Sequence, residues 1–328
     1  MRRVFALVAA VAMVAGSIAL RGRLDRHEED QANPLRIVCA TELGPVCDSR
    51  GSGAQITVEP AARTADRLSR SSDGDPGVDG WLVPAPWPQI VDGRRARQTL
   101  PPLFADVGRP LARSRLVIVV RRTLVDTLGP GCGGTVGWKC LGDAAAASPP
   151  RAKPGHPDPA TDAIGTLVVG HATAAYFGRS DDLSTFDLDN TDFARWFRAL
   201  ERATPPLASG GSPLGEMLGT NFAAYDAVGT IEAEAKTILE TSAVRDRVVL
   251  SYAAPMATAD VVLAGAGGDT ARRLADFATD HDTRKALADA GWDVDGASRG
   301  GSQLPPTNGL PSPGFLDALR SRAEEVRR

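Results

Sequence analysis

"LARSRLVIVVRR", residues 111–122, holds five consecutive apolar side chains, Leu116 to Val120, set between arginines. A half-exposed strand alternates apolar and polar positions. An unbroken branched run instead predicts a strand covered on both faces. Such a strand needs a layer above and below it, which makes this an α/β chain. Shorter runs on either side have the same character: "LRIVCA" (35–40), "QITVEPA" (55–61), "VDGWLVPA" (78–85) and "RDRVVLSYAAP" (245–255).

Helical spacing separates these strands. "ARTADRLSRS" (62–71) predicts a short helix, followed by helices at Thr161–Phe177, Thr191–Ala203 and Ser212–Leu218. Another lies within "NFAAYDAVGTIEAEAKTILE" (221–240), and the chain ends in helices over 270–280, 282–294 and 313–328. Residues 129–159 are rich in Gly and Pro and predict loop.

The 328 residues are 43% hydrophobic, enough to bury one large or two medium cores. A net charge of -3 supplies no basic field for nucleic acid. Lysine accounts for only four of the 37 basic residues, which points to a GC-rich coding bias.

Arg2 and Arg3 precede an apolar run from Val4 to Leu20. A charged start before an apolar core is the signature of export. As a helix the run would span ~25 Å, close to a hydrocarbon core, so residues 1–20 predict a signal peptide or a membrane anchor. Residues 21–34 are charged and read as a tether. The body then lies outside the cytoplasm, anchored or secreted.

That compartment permits disulfides. Cys39 and Cys47 have seven residues between them, as do Cys132 and Cys140, and neither spacing suits a zinc site. Four cysteines allow three pairings, of which two local bridges are the simplest.

The order of these segments resembles that of bacterial extracellular solute-binding proteins with the type 2 periplasmic-binding fold. The resemblance lies in "LRIVCATELG", "DGWLVPAPWPQIV", "LARSRLVIVVRR", "GWKCLGD", "DPATDAIGTLVVGHA", "YDAVGTIEAEA", "VVLSYAAP" and "ALADAGWDV". It implies two lobes, each a mixed sheet flanked by helices, joined by two crossing strands. Lobe one is then 35–112 with 256–328, and lobe two 113–255 including the hinge strands. "GWKCLGD" corresponds to a helix in that family. The chain departs from many members in lacking a lipobox cysteine and in its long Gly/Pro loop.

Open α/β sheets bind ligands beyond the carboxyl ends of their strands. After "LRIVCA" come Thr41, Glu42 and Gly44, the last leaving room for close backbone approach. Trp81 belongs either to the cleft or to the core, and Trp87, between two prolines, reads as an exposed aromatic in a turn. Asp158, Thr161 and Asp162 sit where a helix begins, with Asp158-Pro159 in the usual cap-then-proline arrangement. The resemblance turns this junction toward the cleft. Two aspartates there favour a neutral or cationic ligand group, or hydroxyls. Tyr225 is a second-lobe candidate and Glu232 a weaker one, on one face if their segment is helical.

No nucleophile elbow, zinc pair or phosphate loop occurs in the sequence. The reading is therefore a receptor for a small polar solute that performs no chemistry and uses no cofactor or metal. It is expected to be a monomer with a membrane permease as candidate partner. A sensor or interaction module of the same fold is the alternative, and a secreted hydrolase a remote one.

Overall fold

The computed structural model describes residues 33–48, 54–71, 76–104, 107–207, 211–294 and 309–328. The leader and nearly all of the tether lie outside the described residues. Among those described, no helix is long and apolar enough to cross a membrane.

The first half contains β1 (Leu35–Ala40), a 3-10 turn at Thr41–Leu43, α1 (Gly44–Asp48), β2 (Ala54–Glu59), α2 (Ala61–Arg70), β3 (Gly80–Pro84) and α3 (Trp87–Arg97). Then follow β4 (Ala112–Arg121), α4 (Arg122–Leu128), α5 (Trp138–Ala145), a short β5 (Pro154–Gly155), α6 (Ala163–Phe177) and α7 (Thr191–Ala203). The chain continues through β6 (Ala227–Ile231), α8 (Glu232–Thr241), β7 (Val248–Ser251), β8 (Thr258–Gly265), α9 (Ala271–Thr279), α10 (His281–Asp289) and α11 (Pro313–Arg327).

The strands run in the order β2-β1-β3-β8-β4-β6-β5, with β7 also paired to β4. The long β4 joins two differently built sheets. Its residues 112–115 pair antiparallel with β8, next to the parallel set β2, β1 and β3. From Leu116 onward it pairs antiparallel with β6, and from Ile118 also with β7. The returning chain, β7 then β8, thus runs beside β4 in the opposite direction. A backbone bond from Leu116 N to Ala257 O, 2.8 Å, secures the gap between them.

Leu116 to Val120 are all buried, as their unbroken apolar run predicts. β1, β2, β3 and β7 also form where expected, and both local disulfides, Cys39–Cys47 and Cys132–Cys140, are present.

Other expectations need correction. "AVGTI" is a strand, not part of a helix, because Val228, Thr230 and Ile231 favour the extended backbone and the segment is wholly buried beside β4. β8 was not expected at all, although it is the central strand linking β3 to β4. Ser212–Leu218 forms only a helical turn at Pro213–Gly215 and a π-type turn over Glu216–Thr220. Within the Gly/Pro-rich stretch, α5 forms at the "GWKCLGD" segment.

Candidate functional site

β1 and β3 run parallel, and their carboxyl ends lie at the end of the first sheet where β8 begins at Thr258. Arg115 pairs with Thr258 there, and the next residue, Leu116, pairs with Ile231 at the carboxyl end of β6. β5 is parallel to β6. The carboxyl ends of β1, β2 and β3 on one side and of β5 and β6 on the other therefore converge on the step from Arg115 to Leu116. This seam is where an open α/β architecture places its ligand groups.

The two sides touch at Glu42. Its Oε1 accepts a hydrogen bond from the backbone N–H of Ala163, the first residue of α6. Asp162 is the N-cap of that helix, its Oδ1 accepting from Gly165 N at 2.8 Å. Helix-start amides have no partner within the helix, so carboxylates from both sides satisfy them. The Cys39–Cys47 bridge encloses the turn that carries Glu42.

The electrostatics of this pair are unusual. Burial raises the Glu42 pKa above the ordinary carboxylate value. Burial, followed by the neighbouring Glu42 charge and then Glu234, raises that of Asp162 well above its own. Glu42 Oε2 is buried with no hydrogen-bond partner. Among the described residues, no Arg, Lys or His forms an ion pair with Glu42, Asp162 or Glu234.

The expected capping by Asp158 is corrected. The amides of Thr161 and Asp162 turn back onto Asp158 O at 3.1 and 2.8 Å, so the chain makes a tight turn before the helix starts at Ala163. Asp158 Oδ1 instead holds Ala160 N and forms an ion pair with Arg327, each at 3.1 Å. Gly165 completes this junction. A Cβ there would clash with Pro157 O and approach Asp158 C to 2.9 Å, so the turn folds directly over the helix start.

Thr41 is exposed at the turn after β1, and Thr161 is exposed on the opposite side. Thr161 and Ala160 face α2 across a pocket of about 570 Å³, bordered by Pro60, Arg63 and Arg67. Gly44 is buried, and a Cβ on it would meet only Val58 at 3.8 Å, so no close approach requires glycine here.

The aromatic candidates lie in the interior. Trp81 and Trp87 are fully buried in edge contact, ring centroids 6.5 Å apart. Trp87 opens α3 with Pro88 in its first turn, so the flanking prolines mark a helix start and not an exposed turn. Tyr225 is fully buried in a separate cluster with Leu214, Met217 and Val228, and its hydroxyl lies 3.3 Å from Glu216 Oε2. It precedes β6, whereas Glu232 follows it, so the two occupy opposite ends of a strand.

Glu232 does stand at the seam. It accepts from Tyr252 Oη at 2.8 Å and pairs with Lys236 at 2.7 Å, and these partners lower its pKa despite its burial. The Arg115 guanidinium lies 5.6 Å from the Tyr252 ring centre. Sequence reading missed Arg115 inside β4, Glu234 in the first turn of α8 and Tyr252, of which only Tyr252 directly follows a strand. A second pocket, about 630 Å³, lies beside His156, Glu201 and Arg327. Its buried Glu201 carboxylate is held by His156 Nε2 at 3.0 Å and by Arg327 at 2.6 Å.

Residues 49–293 match the model of a family described as bacterial extracellular solute-binding protein. No curated protein matches the sequence. Among solved structures, the chain is similar to a periplasmic thiamin binding protein at 12% identity and TM-score 0.58, covering 90% of this chain and 96% of that one. It is similar to a GABA receptor at 14% identity and TM-score 0.56, covering 90% and 98%. It also resembles the periplasmic binding protein AfuA from Actinobacillus pleuropneumoniae, solved with fructose-6-phosphate bound, at 12% identity, TM-score 0.53 and 90% and 96% coverage. At these identities the likeness concerns the fold, which is two-lobed.

Proposed function

Because the chain belongs to the bacterial extracellular solute-binding proteins, we propose that it captures a small polar solute between its two lobes and performs no chemistry on it. Lobe one comprises 35–112 and 256–328, and lobe two 113–255, with β4 and the 246–255 return as the hinge. The single observation supporting this reading is the bond from Ala163 N–H to Glu42, which joins the carboxyl end of β1 to the start of α6 across the seam. Thr41, Glu42, Thr161, Asp162 and the weaker candidate Glu232 are the residues of the expected set that border that seam.

The body works outside the cytoplasm, secreted or held by its N-terminal segment. As a monomer it delivers its solute to a membrane permease. The solved relatives are named for a vitamin and an amino acid, and one holds a sugar phosphate, so likeness of fold leaves the solute open.

The test is a thermal-shift screen of the full chain against a solute library, followed by small-angle scattering with and without the best compound. A captured solute raises the unfolding temperature, because it binds only the folded state, and alters the radius of gyration through hinge motion. A library in which no compound raises the unfolding temperature overturns the reading.

A further inference from the structure

We propose that the captured solute carries a nitrogen cation, such as a protonated amine or a guanidinium, which lodges between the carboxyl groups of Glu42 and Asp162. This rests on the capture reading above and adds the chemical class of the ligand.

Each carboxyl already holds one helix-start amide. One oxygen of Glu42 is fixed by the amide of Ala163, and one oxygen of Asp162 by the amide of Gly165 at 2.8 Å. The carboxyl groups interact directly, each influencing the other's proton affinity. Glu42 Oε2, sealed from solvent, has no donor. Glu234, in the first turn of α8, accepts the Thr230 hydroxyl at its Oε2.

Carboxyls brought together away from water repel unless a proton or a cation lies between them. Elsewhere this chain neutralises its carboxylates with arginine. Glu201 is held by Arg327, Asp317 by Arg94 and Asp260 by Arg113. Along the neighbouring pocket, Arg63 and Arg67 are occupied with Glu59. At the seam, Lys236 and Arg115 pair with Glu232, whereas Glu42 and Asp162, among the described residues, form no ion pair with a cationic side chain. Burial favours a proton in that role in the unliganded protein. A ligand cation can take its place, satisfying the idle Glu42 oxygen with a charge-assisted hydrogen bond. An anion at the same helix start would have to displace Glu42 and lie against Asp162, so the dipole of α6 does not select one here.

The experiment uses the purified full chain, screened at neutral pH against putrescine, choline and guanidinium, against glucose and mannitol, and against sulfate and phosphate. Binding of any hit is then measured by calorimetry for the wild type, Glu42→Gln and Asp162→Asn. Both substitutions remove charge but keep an acceptor for the helix amides, and asparagine is itself a good N-cap. Circular dichroism checks that the variants are folded. The expected result is binding confined to cationic compounds, weakened about ten- to a hundredfold by either substitution, as for loss of one charge-assisted bond. Binding of a neutral or anionic compound that is indifferent to both substitutions overturns the cation assignment and leaves capture standing. A screen with no binder in any class overturns both.

Discussion

His171, in the middle of α6, donates from Nε2 to the carbonyl oxygen of Pro255 at 2.7 Å. The ring is buried, and Pro255 lies between β7 and β8. This one bond ties the helix that begins at the seam to the segment between β7 and β8. It also defines the tautomer, since a neutral ring that donates from Nε2 carries its proton there.

Burial pushes the His171 pKa down from 6.5 to about 4, against the opposing influence of the Pro255 and Ala253 carbonyls. Between those values the unfolded chain binds a proton that the folded protein refuses. His171 therefore contributes stability that is complete above pH 6.5 and is lost as pH falls toward 4. The full shift corresponds to about 3 kcal/mol. Urea unfolding of the wild type and His171→Gln at several pH values measures it. The difference between the two should change by that order across the window, and a constant difference contradicts the prediction.

Glu42 and Asp162 act in the opposite direction. Their folded pKa values are raised, so their favourable state is the protonated one below the ordinary carboxylate range. Stability from this pair is lost as pH rises through the raised values. Without ligand, Glu42→Gln should flatten that decline and melt higher than wild type in mildly alkaline buffer. Differential scanning calorimetry from pH 5 to 8.5 reads both effects.

Gly165→Ala should be disruptive although it lies in a helix, where alanine is normally favoured. The added methyl meets the Pro157 carbonyl and lies 2.8 Å from its carbon, neither of which is a flexible side-chain end. Overpacking of this kind costs about 1–3 kcal/mol. It must also move the 157–162 turn, so ligand affinity should fall with stability. Chemical denaturation and calorimetry on the same sample check the pair of outcomes.

α11 packs on α3 at one end and on α6 and α7 along its length. Asp317 receives Arg94 at 2.6 Å and Arg97 at 2.8 Å, and the Arg94 and Asp317 side chains are only 12% and 11% exposed. Asp317→Ala leaves a buried guanidinium short of its partner, at a cost of about 3 kcal/mol. Limited proteolysis should then release the C-terminal helix first.

Replacing Cys39 and Cys47 by serine opens an eight-residue loop. The cost by loop entropy is about 2–3 kcal/mol. The loop carries Glu42, so its loosening should slow association with the solute more than the Cys132–Cys140 replacement does. Stopped-flow binding compares them.

Strands buried on both faces were readable because their residues are branched and continuous, as in Leu116 to Val120. β8 escaped notice for the opposite reason. "TADVVLAG" is buried almost throughout, yet five of its eight residues are small or polar and it follows a proline turn. Trp87 was misread because prolines mark helix starts as well as turns. The cap at Asp162 is local and legible. The contact of Glu42 with Ala163 spans 121 positions, and no spacing rule reaches that far.

The position of β8 has a consequence for how the chain reaches its native state. It is the partner of both β3 and β4, yet among the described residues it is the last strand to be synthesised. Until about residue 265 has emerged, β3 keeps an open edge and the amino-terminal sheet stays unfinished. Distant pairings of this kind form slowly. Most of the polypeptide therefore exists before the closing strand can lock the molecule.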